Sequence, residues 1–113
     1  MSDVLEIEMD VRPDGTVLRL IGNAGVDMAK TLETTLTRVL AARPTLVVAD
    51  MSKLVLLSSL AMGQLVTLQK SLGRSGGKMR LAAVPPQLMT SLKHTRLDSV
   101  FECLPSVKEA MKA

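Results

Sequence analysis

The sequence predicts an α/β domain built on a mixed central sheet of about four to five strands, with helices packed mainly on one face. Three observations predict it. The turn signal Pro13-Asp14-Gly15 separates two strand-like runs and marks an opening hairpin. Leu46 to Ala49 is an unbroken apolar block entered through Arg43-Pro44, the pattern of a strand buried on both faces. From there helix-period and strand-like runs alternate to the end, and crossovers of that kind join parallel strands. At 113 residues and 47% hydrophobic, the chain is expected to form one domain over 1–113 around one core.

Each element has its own signal. Val4 to Arg12 sets Val, Ile and Met against Glu and Asp, with Leu5 and Val11 blurring the alternation. Thr16 to Ile21 is the second strand, and Gly22-Asn23-Ala24-Gly25 reads as a loop. The first helix spans about Met28 to Ala42, with Ala29, Leu32, Leu36, Val39 and Leu40 on one face, and Arg43-Pro44 ends it. The buried strand at Leu46 to Ala49 comes next and stops at Asp50. A second helix begins at Ser58 or Ser59, carries Ala61, Leu65, Leu68 and Leu72 at helical spacing, and halts at Gly73-Arg74-Ser75-Gly76-Gly77. Met79 to Val84 is the next strand, closed by Pro85-Pro86, and a short helix runs through Leu88 and Leu92. A brief strand is expected near Val100 to Glu102. The last helix is announced by Ser106 with Glu109 three positions on, and Val107, Ala110 and Met111 form its apolar side.

Composition excludes several function classes. Phe101 is the sole aromatic, so the core must be Leu, Val, Ile, Ala and some of the eight Met, and no base-stacking platform is available. The net charge of +3 raises nucleic acid as a partner. The densest basic group, Lys70, Arg74, Lys78 and Arg80, largely brackets a helix end, where positive charge complements the helix dipole, so dedicated nucleic-acid binding is not expected. The lone Cys103 permits no internal disulfide and fits a reducing compartment. The N-terminus is acidic, and the apolar stretch Leu54 to Val66 is shorter than the ~20 residues of a spanning helix. A cytoplasmic protein without membrane insertion is expected. No Cys/His cluster, Walker loop or triad spacing around the single His94 is present. No catalytic residue, cofactor or metal is therefore expected.

The stretch after the buried strand carries the candidate site. Asp50-Met51-Ser52 lies at the end of the apolar block, and Ser58-Ser59-Leu60-Ala61-Met62-Gly63 opens the next helix. A helix start offers free N–H groups and the positive end of a dipole, which favour an anion. The serine pair is then either a phosphate-responsive site or a helix cap.

These segments resemble the STAS domain, the module shared by sulfate transporters and bacterial anti-sigma factor antagonists. The family pattern is a strand ending Asp-x-Ser, a few apolar residues, then Asp-Ser-Ser/Thr-Gly-Leu-Gly at a helix start. Gly77-Lys78 before the fourth strand and Leu97-Asp98-Ser99-Val100-Phe101 fit it too. Departures are Ser58 at the motif's Asp, Leu60 at its small residue, Ala61 at its first Gly, and Gly25 where an acidic loop residue is usual. The resemblance implies a non-catalytic signal-transduction and transcription-regulation protein whose partner is an anti-sigma factor with serine kinase activity. It implies Ser59 as the phosphorylated serine, with Ser58 second, on a partner surface of Asn23, Asp50, Ser52, Ser58, Ser59, Leu60 and Met62. The alternative is a constitutive accessory subunit, for example of a transporter, that uses the same surface without phosphorylation. The oligomeric state is left open.

Overall fold

The Pro13-Asp14 turn folds strands β1 (Leu5–Arg12) and β2 (Gly15–Ala24) into an antiparallel pair, in register from Leu5 opposite Gly22 to Arg12 opposite Gly15. The structure, a computed structural model, describes residues 4–112. A 3-10 turn at Val26–Met28 leads into α1 (Ala29–Ala41), then β3 (Leu46–Leu57), α2 (Ser59–Arg74), β4 (Lys78–Ala82) and α3 (Pro86–His94). A second 3-10 turn, β5 (Glu102–Leu104) and the one-turn helix α4 (Val107–Ala110) complete the chain. The strands lie in the order β1-β2-β3-β4-β5, with β2 to β5 mutually parallel. This is the mixed α/β sheet that the sequence predicts, with β3 at its centre.

Several expected boundaries are corrected. β3 does not stop at Asp50 but continues seven residues to Leu57. Its partner β2 correspondingly extends through Gly22, Asn23 and Ala24, which read locally as a loop. Both extensions exist because they pair with each other, Gly22 with Leu54, Asn23 with Leu56 and Ala24 with Leu57. Cross-strand pairing outweighs the turn preference of Gly-Asn. The last strand begins at Glu102 rather than Val100, because Leu97–Ser99 forms the 3-10 turn and Phe101 is drawn into the core at 3% exposure. β4 ends at Ala82, before the expected Val84, where Ala83 enters the left-handed region (φ 53°).

The pairing of β3 with β2 is irregular at two points. Arg19 and Ile21 stand opposite Asp50 and Lys53, and Gly22 and Asn23 stand opposite Leu54 and Leu56. Each shift inserts one extra residue on the β3 side, a bulge of a kind uncommon in parallel pairs. The buried residues of β3 toward α1–α3 are therefore Val47, Ala49, Met51, Leu54 and Leu57, with spacings that widen from two to three. Asp50 braces the first bulge. Its Oδ1 accepts a hydrogen bond from the Ser52 N–H at 3.0 Å, and its Oδ2 lies 3.5 Å from Arg19 Nε.

The main core lies between the sheet and α1, α2 and α3, with Leu18, Leu32, Val47, Leu65, Leu81 and Leu92 among its buried members. A smaller cluster on the opposite face joins Leu46, Val48 and Ala82 to Ala110 of α4. Arg80 holds α4 there. Its Nε pairs with Glu102 Oε1 at 2.9 Å, and its Nη1 donates to the Ala110 carbonyl at 2.9 Å. One member of the basic group is thus structural. The predicted cap is present as well, with Ser106 Oγ accepting from the Glu109 N–H at 3.1 Å. Burial, aided by Asp98, pushes the Cys103 thiol above its ordinary range.

Leu65→Ala, at 1% exposure, should cost about 2–5 kcal/mol by opening a cavity under α2, whereas Leu60→Ala, at 47%, should stay within about 0.5 kcal/mol, both read by urea unfolding. The raised thiol pKa means that the fold favours the unreactive protonated form. Cys103 should therefore be alkylated more slowly at pH 8 in the native protein than in urea, and the gap should narrow at higher pH.

Candidate functional site

The end of β3 hands the chain directly to α2. The Ser58 N–H donates to the Ala24 carbonyl at 2.9 Å, tying the helix start to the end of β2. Ser58 has extended backbone angles, and its Oγ accepts from the Ala61 N–H at 3.1 Å. It is the N-cap, satisfying one of the donors that every helix leaves open at its start. Ser59 is the first helical residue and is exposed. Its hydroxyl has no hydrogen-bond partner among the described residues. The first turn of α2 holds no acidic side chain, so nothing in it offsets the positive end of the dipole.

Exposed apolar side chains lie on the segments that lead into and out of this junction. Val55 is 64% exposed, Leu56 48%, Leu60 47% and Val26 67%. Val55 and Leu56 sit at the second bulge, where the strand period is broken and both side chains reach solvent. Asn23 is paired with Leu56, so it stands at the same end of the molecule as the two serines. Asp27 contributes a carboxylate here that the sequence pattern did not single out. Its Oδ1 lies 2.8 Å from where a Cβ on Gly25 would sit, so an acid stands beside residue 25. The signal was available in the sequence as the nearest acid after Gly25.

The structure does not bring all the expected site residues together. Asn23, Ser58, Ser59 and Leu60 share the end of the sheet near the start of α2. Asp50 and Ser52 lie lower on β3, roughly 20 Å away by strand rise, in a niche of about 70 Å³ with Arg19 and Lys53. Their mutual hydrogen bond serves the bulge. Met62 is corrected outright as a surface residue. It is 6% exposed and packs in the main core, because it lies on the same helical stripe as the buried Leu65.

Beside Ser59 a groove of about 480 Å³ runs between α1 and α2. Gln64 crosses near its floor, its Nε2 donating to the Ala29 carbonyl at 2.8 Å. Among the described residues no group of three or more His, Cys, Asp or Glu side chains could hold a metal ion. No helix of those residues is long and apolar enough to cross a membrane.

A family model described as the STAS domain matches residues 6–110. The chain belongs to the STAS domain family. Solved structures agree on the fold. An anti-sigma factor antagonist from Mycobacterium paratuberculosis superposes with a TM-score of 0.89 at 23% identity, covering 98% of this chain and 94% of that one. The anti-sigma factor antagonist SpoIIAA in its unphosphorylated form gives 0.80 at 14% identity, covering 94% and 93%. A sulfate transporter family protein from Wolinella succinogenes gives 0.72 at 17% identity, covering 84% and 80%. No curated protein sequence matches the chain.

The division of labour between the two serines of this STAS domain is measurable. Ser58→Ala should lower stability by about 1 kcal/mol through loss of the cap, while Ser59→Ala should change it by less than about 0.5 kcal/mol, both in urea unfolding.

Proposed function

We propose that this STAS domain, acting as a single module over residues 1–113, is a non-catalytic partner-switching regulator of the anti-sigma factor antagonist type. The observation that carries the reading is Ser59, an unengaged hydroxyl at a helix start whose own first turn holds no acid, flanked in the chain by the exposed apolar Val55, Leu56 and Leu60. A phosphate there would add about −1.5 to −2 charges. The N–H groups of the helix start favour such an anion, so the domain stays folded. A docked partner covering Val55, Leu56 and Leu60 would instead have to bury that charge against an apolar surface, and it lets go. The partner is an anti-sigma factor with serine kinase activity, in the cytoplasm of a bacterium, and the output is transcriptional. Ser58 is the lesser acceptor, because its oxygen already serves the helix cap.

A constitutive accessory subunit is the second reading. The likeness to the sulfate transporter family protein favours it, as does Ser58 at the position of the motif's Asp.

The test begins with a pull-down from the native cytoplasm, then titration of the kinase recovered. Ser59→Asp should weaken its binding by about thirtyfold, the equivalent of 2 kcal/mol, while Ser59→Ala should bind normally and resist release by kinase and ATP. Equal affinity of Ser59→Asp and wild type, with no phosphate on either serine by mass spectrometry, would favour the accessory subunit.

A further inference from the structure

The parallel strands and their crossover helices give the molecule two unlike ends. At the end away from Ser59, β2, β3 and β4 start level with one another, Thr16 beside Val47 and Val47 beside Met79. The helices α1, α2 and α3 run back from the far end of the strands, so their three C-termini arrive where the strands begin. Each brings cations with it. Arg38 and Arg43 come with the end of α1, Lys70 and Arg74 with α2, and Lys93 and Arg96 with α3, while Lys78 opens β4. All seven are exposed. They are half of the chain's 14 Lys and Arg, gathered at one end from separate segments, so no basic run in the sequence announces them.

Little at this end neutralises them. None of the seven has an ion pair among the described residues, and the acids near them are mostly engaged elsewhere: Asp10 with Arg12, Glu102 with Arg80 and Glu109 with Lys112. Asp14 in the hairpin turn and Asp98 before β5 are left, and the exposed His94 ends α3. Each helix C-terminus supplies about half a negative charge, so the three together offset only part of the excess. Helix-dipole complementation therefore does not account for the whole group. The short-range chemistry is equally informative. Helix C-termini expose carbonyl oxygens rather than the N–H donors that clamp a phosphate. The sole aromatic, Phe101, is buried, so neither a base-stacking platform nor an aromatic membrane anchor is present. What remains is a level face of long, exposed cationic side chains, about 20 Å across the five strands.

We propose that this end of the domain rests on an anionic lipid surface, held by charge attraction without insertion. A bilayer leaflet is a plane of negative charge, and the level strand starts present a plane of positive charge to it. A nucleic-acid backbone is instead a ridged rod, gripped through N–H donors and stacked bases, and this end supplies neither. Near an anionic leaflet each Lys or Arg strengthens adsorption by about fivefold. The inference rests on the placement of charge and not on the reading of Ser59. Along the 16 residues of α2, Ser59 stands roughly 24 Å from this face. That is more than two screening lengths at physiological salt, so charge added at Ser59 leaves adsorption unchanged. A domain seated this way turns its α2 start away from the membrane and keeps it open to a protein partner.

The experiment is co-sedimentation of the full chain with vesicles of phosphatidylcholine containing about 30% phosphatidylglycerol, against vesicles of phosphatidylcholine alone. The protein should bind the anionic vesicles, ignore the neutral ones, and come off as sodium chloride rises from about 0.05 to about 0.5 M. The triple variant Lys70→Gln, Arg74→Gln, Lys78→Gln should bind at least about thirtyfold more weakly with an unchanged Tm. A control triple, Lys30→Gln, Lys53→Gln, Lys108→Gln, removes the same charge from exposed positions elsewhere and should lose less than about threefold. Ser59→Asp should bind vesicles as wild type does. Absence of binding to anionic vesicles, equal binding to neutral ones, or binding that survives high salt would overturn the proposal. So would equal losses in the two triple variants, which would reduce the effect to net charge. Tighter binding to duplex DNA than to the vesicles, measured at the same salt, would overturn it in favour of nucleic acid. Failure with vesicles alongside a working Ser59→Asp effect on the kinase removes the membrane face alone, and the reverse outcome removes the switch alone.

Discussion

The pairing of β3 with β2, which absorbs two extra residues on the β3 side, fixes where β3 ends and where α2 starts. Without the bulges, a period of two would carry Met51, Lys53 and Val55 inward together, burying a lysine and leaving Leu54 outside. With them, Leu54 and Leu57 enter the core at 2% and 5% exposure, while Ser52-Lys53 and Val55-Leu56 are exposed as pairs. Each bulge has local support. Asp50 accepts the Ser52 N–H at the first. Gly22 lies at the second with φ of +100°, and a Cβ there would come within 2.5 Å of the Val4 carbonyl oxygen. A side chain at residue 22 would meet both a steric and a conformational barrier.

Because β3 ends on Leu57 in the core, Ser58 is delivered to the start of α2 with its N–H already bonded to Ala24. That bond and the cap to Ala61 commit Ser58 to structure. Ser59 is left without such a duty, at the positive end of the α2 dipole and next to the exposed Leu60. A helix terminus that tolerates an anion beside exposed apolar side chains that do not is the physical basis of the switch proposed for Ser59, which would act on docking rather than on folding. Asp27 adds an acid to the same junction from an unexpected position.

The two faces of the sheet have different tasks. The face toward α1–α3 holds nearly all the apolar burial. The other is covered in part by α4, and its charged side chains are spent on each other and on backbone carbonyls: Arg80 with Glu102 and Ala110, Arg19 with Glu8 and Asp50. This is why a net charge of +3 does not translate into a continuous basic surface on the sheet.

The opening hairpin, the central apolar block, the extents of α1 and α2 and the caps at Ser58 and Ser106 were legible in the sequence. Each depends on spacing or chemistry within a few residues, such as a turn dipeptide, a helical stripe, or a hydroxyl three positions before an N–H. The outer half of β3, the end of β2 and the start of β5 were not legible. Their hydrogen bonds go to strands far away in the chain, and the bulges erase the alternation that would have revealed a strand. The candidate site divides along the same line. Ser58 and Ser59 are set by local helix-start chemistry, whereas the burial of Met62, the separation of Asp50 and Ser52 from the serines, and the arrival of Asp27 beside Gly25 were decided by how β2, β3 and α2 pack. Local sequence determines which elements can form, but a side chain becomes core, brace or exposed surface only when a partner strand sets its register.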